Sequence, residues 1–120
     1  MQIIFDEKMV PELRSRYVVL ELDTIMQPGM EKPLTLYALI ETMNLEILTK
    51  LPEIVQQHED MIRAYKSNDW DTAEREANAL RGSWRGEIDE FYDILIETVK
   101  EMRTSNTIWT GVKFVTPAEE

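Results

Sequence analysis

Apolar positions in the second half of the chain recur with the period of a helix. Leu51, Ile54, Val55, His58, Met61, Ile62 and Tyr65 stand at i, i+3, i+4, i+7, i+10, i+11 and i+14. One stripe along one face predicts a helix over about 51–66. Pro52 is placed in its first turn, where a missing N–H is harmless, with Thr49 as candidate cap. Ser67-Asn68-Asp69 interrupts the stripe, and Asn68 or Asp69 can cap a second helix over about 69–81. That helix carries Trp70, Ala73, Ala77 and Leu80, mostly small residues that let two helix axes approach closely. Gly82 ends or bends it. A third helix over about 86–103 buries Ile88, Phe91, Tyr92, Leu95, Val99 and Met102. Glu87, Asp89, Glu90, Asp93 and Glu97 load its outside and N-terminal half, where acids complement the helix dipole.

The first half alternates instead. Tyr17 to Ile25 is rich in strand formers and places Val18, Leu20, Leu22 and Thr24 on one face, with Tyr17, Val19, Glu21 and Asp23 on the other. Pro28-Gly29 suits a type II turn, in which glycine takes the positive φ. Leu34 to Glu41 then completes an antiparallel hairpin over about 17–41. Residues 6–16 read as a brief helix or turn with Pro11 in its first turn. Thr107 to Thr116 reads as a closing strand over about 107–116 that extends the hairpin, with Gly111 marking a bulge or a close approach. Strands, then helices, then a strand predict an α+β fold in which three helices cover one face of a small antiparallel sheet. A length of 120 residues suits a single domain over 1–120.

Composition narrows the chemistry. The chain is 43% hydrophobic and 30% charged, has no Cys, and sets 13 basic against 23 acidic residues for a net charge of −10. Such a charge repels nucleic acid at long range. The lack of Cys excludes disulfides, thiolate metal sites and cysteine nucleophiles. No apolar run approaches the roughly 18 residues of a membrane span. The amino end, Met1 to Glu7, lacks the basic and long apolar regions of a signal peptide. These features lead to the expectation of a soluble, cytoplasmic protein without nucleic-acid or membrane partners.

The segment Ile62-Arg63-Ala64-Tyr65-Lys66-Ser67-Asn68-Asp69-Trp70-Asp71-Thr72-Ala73 resembles the helix junction of tetratricopeptide-like hairpins. There an aromatic ends one helix, a short polar turn carries Asp, and an aromatic with a later Ala opens the next. More narrowly it is similar to the helical tail that follows the catalytic domain in many bacterial class III adenylate/guanylate cyclases. Tyr37-Ala38-Leu39-Ile40-Glu41 stands where that tail's preceding strand stands, so the resemblance covers residues 37–80. It implies a shape, a non-catalytic helical unit packed on a sheet. It carries over no cyclase activity, because the paired metal-binding aspartates and the base-reading and transition-state residues have no counterparts here.

Four groups are candidates for chemistry. His58, the only histidine, opens His58-Glu59-Asp60-Met61-Ile62, but Ile62 stands where a zinc protease needs its second histidine. On the apolar stripe, His58 reads as a packed, hydrogen-bonded core or rim residue. Glu21 and Asp23, two apart on one strand face, could hold Mg²⁺ or divide acid and base roles; a solvated sheet face is the plainer reading. Arg81-Gly82-Ser83-Trp84-Arg85-Gly86 is neither a nucleophile elbow nor a P-loop. Arg81, Trp84 and Arg85 could nevertheless bind an anion or a nucleotide, the ring stacking and the guanidinium groups pairing. The alternative is a glycine-broken junction with Trp84 in the core. The acidic face of the third helix reads as solvated.

A single histidine with no nearby nucleophile argues against nucleophilic catalysis. The expectation is a non-enzymatic interaction or accessory module without a cofactor, acting on a protein partner or through self-association. The alternatives are a small Mg²⁺-dependent or phosphate-ligand-binding enzyme, and a small phage-type protein that binds a host factor.

Overall fold

The computed structural model describes residues 2–41, 45–105 and 109–114. In chain order they form β1 (Gln2–Ile4), a single 3₁₀ turn (Glu7–Met9), α1 (Val10–Arg14), β2 (Val18–Met26), β3 (Leu34–Ile40), α2 (Leu45–Lys66), α3 (Trp70–Leu80), α4 (Asp89–Thr104) and β4 (Lys113–Phe114). The sheet order is β1-β3-β2-β4. β1, β3 and β2 make a three-stranded antiparallel unit. β4 joins β2 in parallel at Ile25 and Met26, so the closing strand extends the hairpin with the opposite sense to its neighbour's partner. Of the closing strand expected over 107–116, residues 107–108 and 115–116 lie outside the described residues, and among the rest only Lys113 and Phe114 pair as strand. The α+β architecture is therefore as the pattern predicts, with the apolar run at Ile3 and Ile4 recruited as an extra edge strand.

The hairpin turns where expected. Met30 N–H donates to Gln27 O at 3.1 Å, and Gly29 takes φ +89°, the geometry of a type II turn. Within β2 the pairing changes register between Glu21 (opposite Tyr37) and Thr24 (opposite Thr35), so β2 carries one extra residue. This β-bulge breaks the simple alternation. Leu20 and Leu22 still face the helices, but Asp23 turns to that side too, while Thr24 bonds Thr35 across the strands at 3.0 Å.

α2, α3 and α4 cover one sheet face. Leu20, Leu22, Ala38 and Ile40 from the strands meet Met61, Tyr65, Ala73, Ala77, Leu80, Tyr92, Leu95 and Val99 from the helices in one core. Ala73 and Ala77 are fully buried, which is how α3 seats closely against its neighbours. α1 lies on the opposite face, where Ile4, Val10, Val19 and Leu39 form a smaller cluster. A carboxylate caps α3, with Thr72 N–H donating to Asp69 Oδ1 at 3.3 Å. Asn68 closes α2 at φ +69°, a left-handed position that Asn tolerates.

Two boundaries differ from the pattern. α2 starts at Leu45, which makes Pro52 its eighth residue rather than a first-turn proline, and Thr49 is no cap but bonds back to Glu46 O at 2.9 Å. The helix runs on upstream of the proline, where Ile47 is buried in the core while Leu45 and Leu48 stay exposed. α4 starts at Asp89, because residues 81–88 form successive turns around Gly82 and Gly86.

Candidate functional site

His58 is fully buried at the centre of a hydrogen-bonded chain. Its Nε2 lies 2.6 Å from Glu21 O and its Nδ1 lies 3.0 Å from Tyr92 Oη. A carbonyl can only accept, so Nε2 carries the proton and Nδ1 accepts from the Tyr92 hydroxyl. Tyr92 in turn accepts from Trp84 Nε1–H at 3.0 Å. The chain Trp84→Tyr92→His58→Glu21 links the turn run after α3, then α4, α2 and β2, with every polar atom of the two middle residues used. Burial holds the His58 pKa down at about 4, against the raising effect of the Glu21 carbonyl and carboxylate, so the ring is neutral near pH 7. It is a structural core histidine, as its place on the stripe implied; Tyr92 and Trp84 as its partners were not legible from spacing.

The bulge separates the two candidate metal-ligating carboxylates. Glu21 stays on the face of Tyr37 and ion-pairs with Lys66 at the end of α2. Asp23 points into the core, where Tyr65 Oη donates to its two carboxylate oxygens at 3.2 and 3.4 Å. The shared strand face read from the alternation is thus corrected: the extra residue rotates Asp23 away from Glu21. Among the described residues no group of three or more acidic or histidine side chains is arranged to hold a metal ion. Burial pushes the Asp23 carboxyl up, with Lys113 and the Tyr65 hydroxyl opposing. The same burial, with the charge of Asp23, raises the Tyr65 phenol.

Trp84 is likewise withdrawn from its candidate role. It is fully buried, and its indole nitrogen is committed to Tyr92, so it stacks on no ligand. Arg81 and Arg85 stay at the surface and, with Lys50, Ser83 and Glu46, line a cleft of about 320 Å³ between the first turns of α2 and the turns after α3. Arg81 also ion-pairs with Asp93 at 3.3 Å. On α4, Ile94 sits exposed among Glu90, Asp93, Glu97 and Glu101, beside Lys113, whose Nζ bonds Thr98 Oγ1 at 3.3 Å.

The surface that sequence patterning missed is a groove of about 540 Å³ between the α1–β2 connection, the end of β3 and the start of α2. Val18, Ile40 and Leu51 form its apolar lining, and Tyr17 and Leu48 rim it at 46% and 53% exposure. Leu45, one helical turn before Leu48, is 76% exposed and extends the rim. Arg14 and Arg16 stand on the same groove, exposed, with no carboxylate within ion-pair distance among the described residues; Glu41 is the acid in the lining. Its signal was present in the sequence: apolar residues at 45 and 48 lie upstream of Pro52 and have no sheet to cover. Among the described residues no helix is long and apolar enough to cross a membrane. No family model, curated protein or solved structure matches this chain, so the functional reading rests on the groove, the cleft and the buried network themselves.

Proposed function

We propose that this protein is a non-enzymatic interaction module that receives an acidic segment with apolar anchors of a partner protein in the groove between α1 and α2. The observation that carries this reading is the conjunction of exposed Tyr17, Leu45 and Leu48 with unpaired Arg14 and Arg16, in a chain whose net charge is −10. In this groove two free arginines stand against the single carboxylate of Glu41, beside apolar side chains, which favours a partner segment of opposite charge. In this reading α2 and α3 are a non-catalytic scaffold of the kind the cyclase-tail resemblance implies.

Site-specific photo-crosslinking tests it, with the crosslinker at Leu48 and, as control, at exposed Arg75 on α3. The expected result is an adduct from Leu48 alone, lost in Arg14→Glu/Arg16→Glu, whose crosslinked peptide is acidic and apolar. A basic peptide, a peptide of this chain itself, or equal adducts from both positions would overturn the reading.

A further inference from the structure

The stretch from Leu80 to Asp89 is a run of consecutive tight turns. Ser83 N–H donates to Leu80 O at 3.0 Å, Arg85 to Gly82 O at 3.2 Å, Glu87 to Trp84 O at 3.1 Å and Asp89 to Gly86 O at 3.3 Å. Gly82 and Gly86 adopt φ +84° and +81°, which glycine does at no steric cost. Arg85, at φ +58°, does so with a Cβ. Apart from Asn68, it is the one non-glycine residue with positive φ among the described residues. A left-handed conformation is costly for arginine, where glycine would fit this turn freely. Local strain of this kind concentrates at functional sites.

What the strained residue provides is placement. Arg85 brings a guanidinium to the cleft of about 320 Å³ already lined by Lys50, Arg81 and the Ser83 side chain. Lys50 and Arg85 are exposed and have no carboxylate within ion-pair distance among the described residues; Arg81 shares its charge with Asp93. Glu46 is the acid in the lining. Asp89 already accepts the Gly82 N–H at 2.8 Å and the Ser83 and Arg85 N–H groups are spent within the turns, so these three amides are not left to receive a ligand.

We propose that this cleft binds a phosphate group, free or as the monoester of a small molecule. Arginine forks match phosphate oxygens two at a time, lysine adds a point charge, and the serine hydroxyl can donate. Because Trp84 is fully buried and not part of the lining, recognition rests on the phosphate and not on a stacked ring.

The test is isothermal titration calorimetry and thermal melting of the full chain with inorganic phosphate and glycerol phosphate. Sulfate and chloride at matched ionic strength serve as controls. Saturable binding of one or both phosphates, at least tenfold tighter than chloride, is expected, with sulfate, of the same shape and similar charge, competing. Glycerol phosphate binding more tightly than inorganic phosphate would assign a monoester, and the reverse a free phosphate. Arg85→Gly should lose at least tenfold in affinity yet melt higher than the parent without ligand, because its turn strain is relieved. Lys50→Gln should lose affinity at unchanged melting temperature, and Glu46→Gln should gain it. Unchanged affinity in Arg85→Gly, a ligand-free melting temperature lowered by that substitution, or phosphate binding no tighter than chloride would overturn the proposal.

Discussion

His58 shows what a single buried side chain does to the whole stability curve. Its pKa falls from 6.5 in an unfolded chain to about 4 in the fold, so between those values the unfolded state takes up the proton first. Stability is therefore complete above pH 6.5 and is lost as pH falls toward 4, by about 3 kcal/mol in all at 1.36 kcal/mol per pH unit. Urea unfolding at a series of pH values should show this slope. His58→Leu should remove this contribution to the slope and cost about 2–4 kcal/mol at pH 7, because the Glu21 carbonyl and the Tyr92 hydroxyl proton lose their partner. Asp23 acts in the other direction. Its pKa is raised above 3.8 by burial, so as pH climbs past 3.8 the unfolded chain ionises first and stability falls, the penalty being complete once pH exceeds the raised value. Asp23→Asn, which can still accept from Tyr65, should raise the urea midpoint at pH 7, with the gain shrinking toward pH 4. The burial of His58 was readable from its stripe. The inward turn of Asp23 was not, because alternation assumes an unbroken period of two and nothing in Glu21-Leu22-Asp23-Thr24 marks the extra residue.

At the scale of elements, the helices were legible because each buries a continuous face at a fixed spacing, and their ends were less so. Pro52 is the instructive case. Read alone it starts a helix; in the fold, Leu45, Ile47 and Leu48 carry α2 a full two turns ahead of it. A proline at this position leaves Leu48 O without its i+4 donor. Pro52→Ala should restore that bond and raise stability by about 1–2 kcal/mol, part of the helical gain being offset by a less restricted unfolded chain. A lowered melting temperature would instead mean that the proline fits a bend required by the packing of Ile47. The parallel sense of β4 was equally hidden, since strand direction depends on where the connection after α4 returns and not on the residues of the strand.

Over the whole molecule, an excess of ten negative charges opposes the compact state. The pairs of Arg103 with Asp71 and Glu74, at 2.9 and 2.8 Å, relieve this between α3 and α4, but they stand at the surface and contribute little each. Salt should therefore stabilise the fold: raising NaCl from about 10 to about 150 mM shortens the screening length from roughly 30 to 8 Å and should increase the urea midpoint at pH 7. A decrease would show that attraction within ion pairs outweighs general repulsion. The layered arrangement was legible from the order of elements, whereas of the groove only the apolar residues at 45 and 48 were, because its walls are brought together from residues distant in the chain. The Trp84 indole, sealed in the interior and tied through Tyr92 and His58 to β2, gives the molecule a built-in isotopic clock. Transferred to heavy water, the Trp84 side-chain proton can exchange only when helices and sheet come apart together. Its magnetic-resonance signal should outlast that of the partly exposed Trp109, and its decay should time the opening of the entire fold.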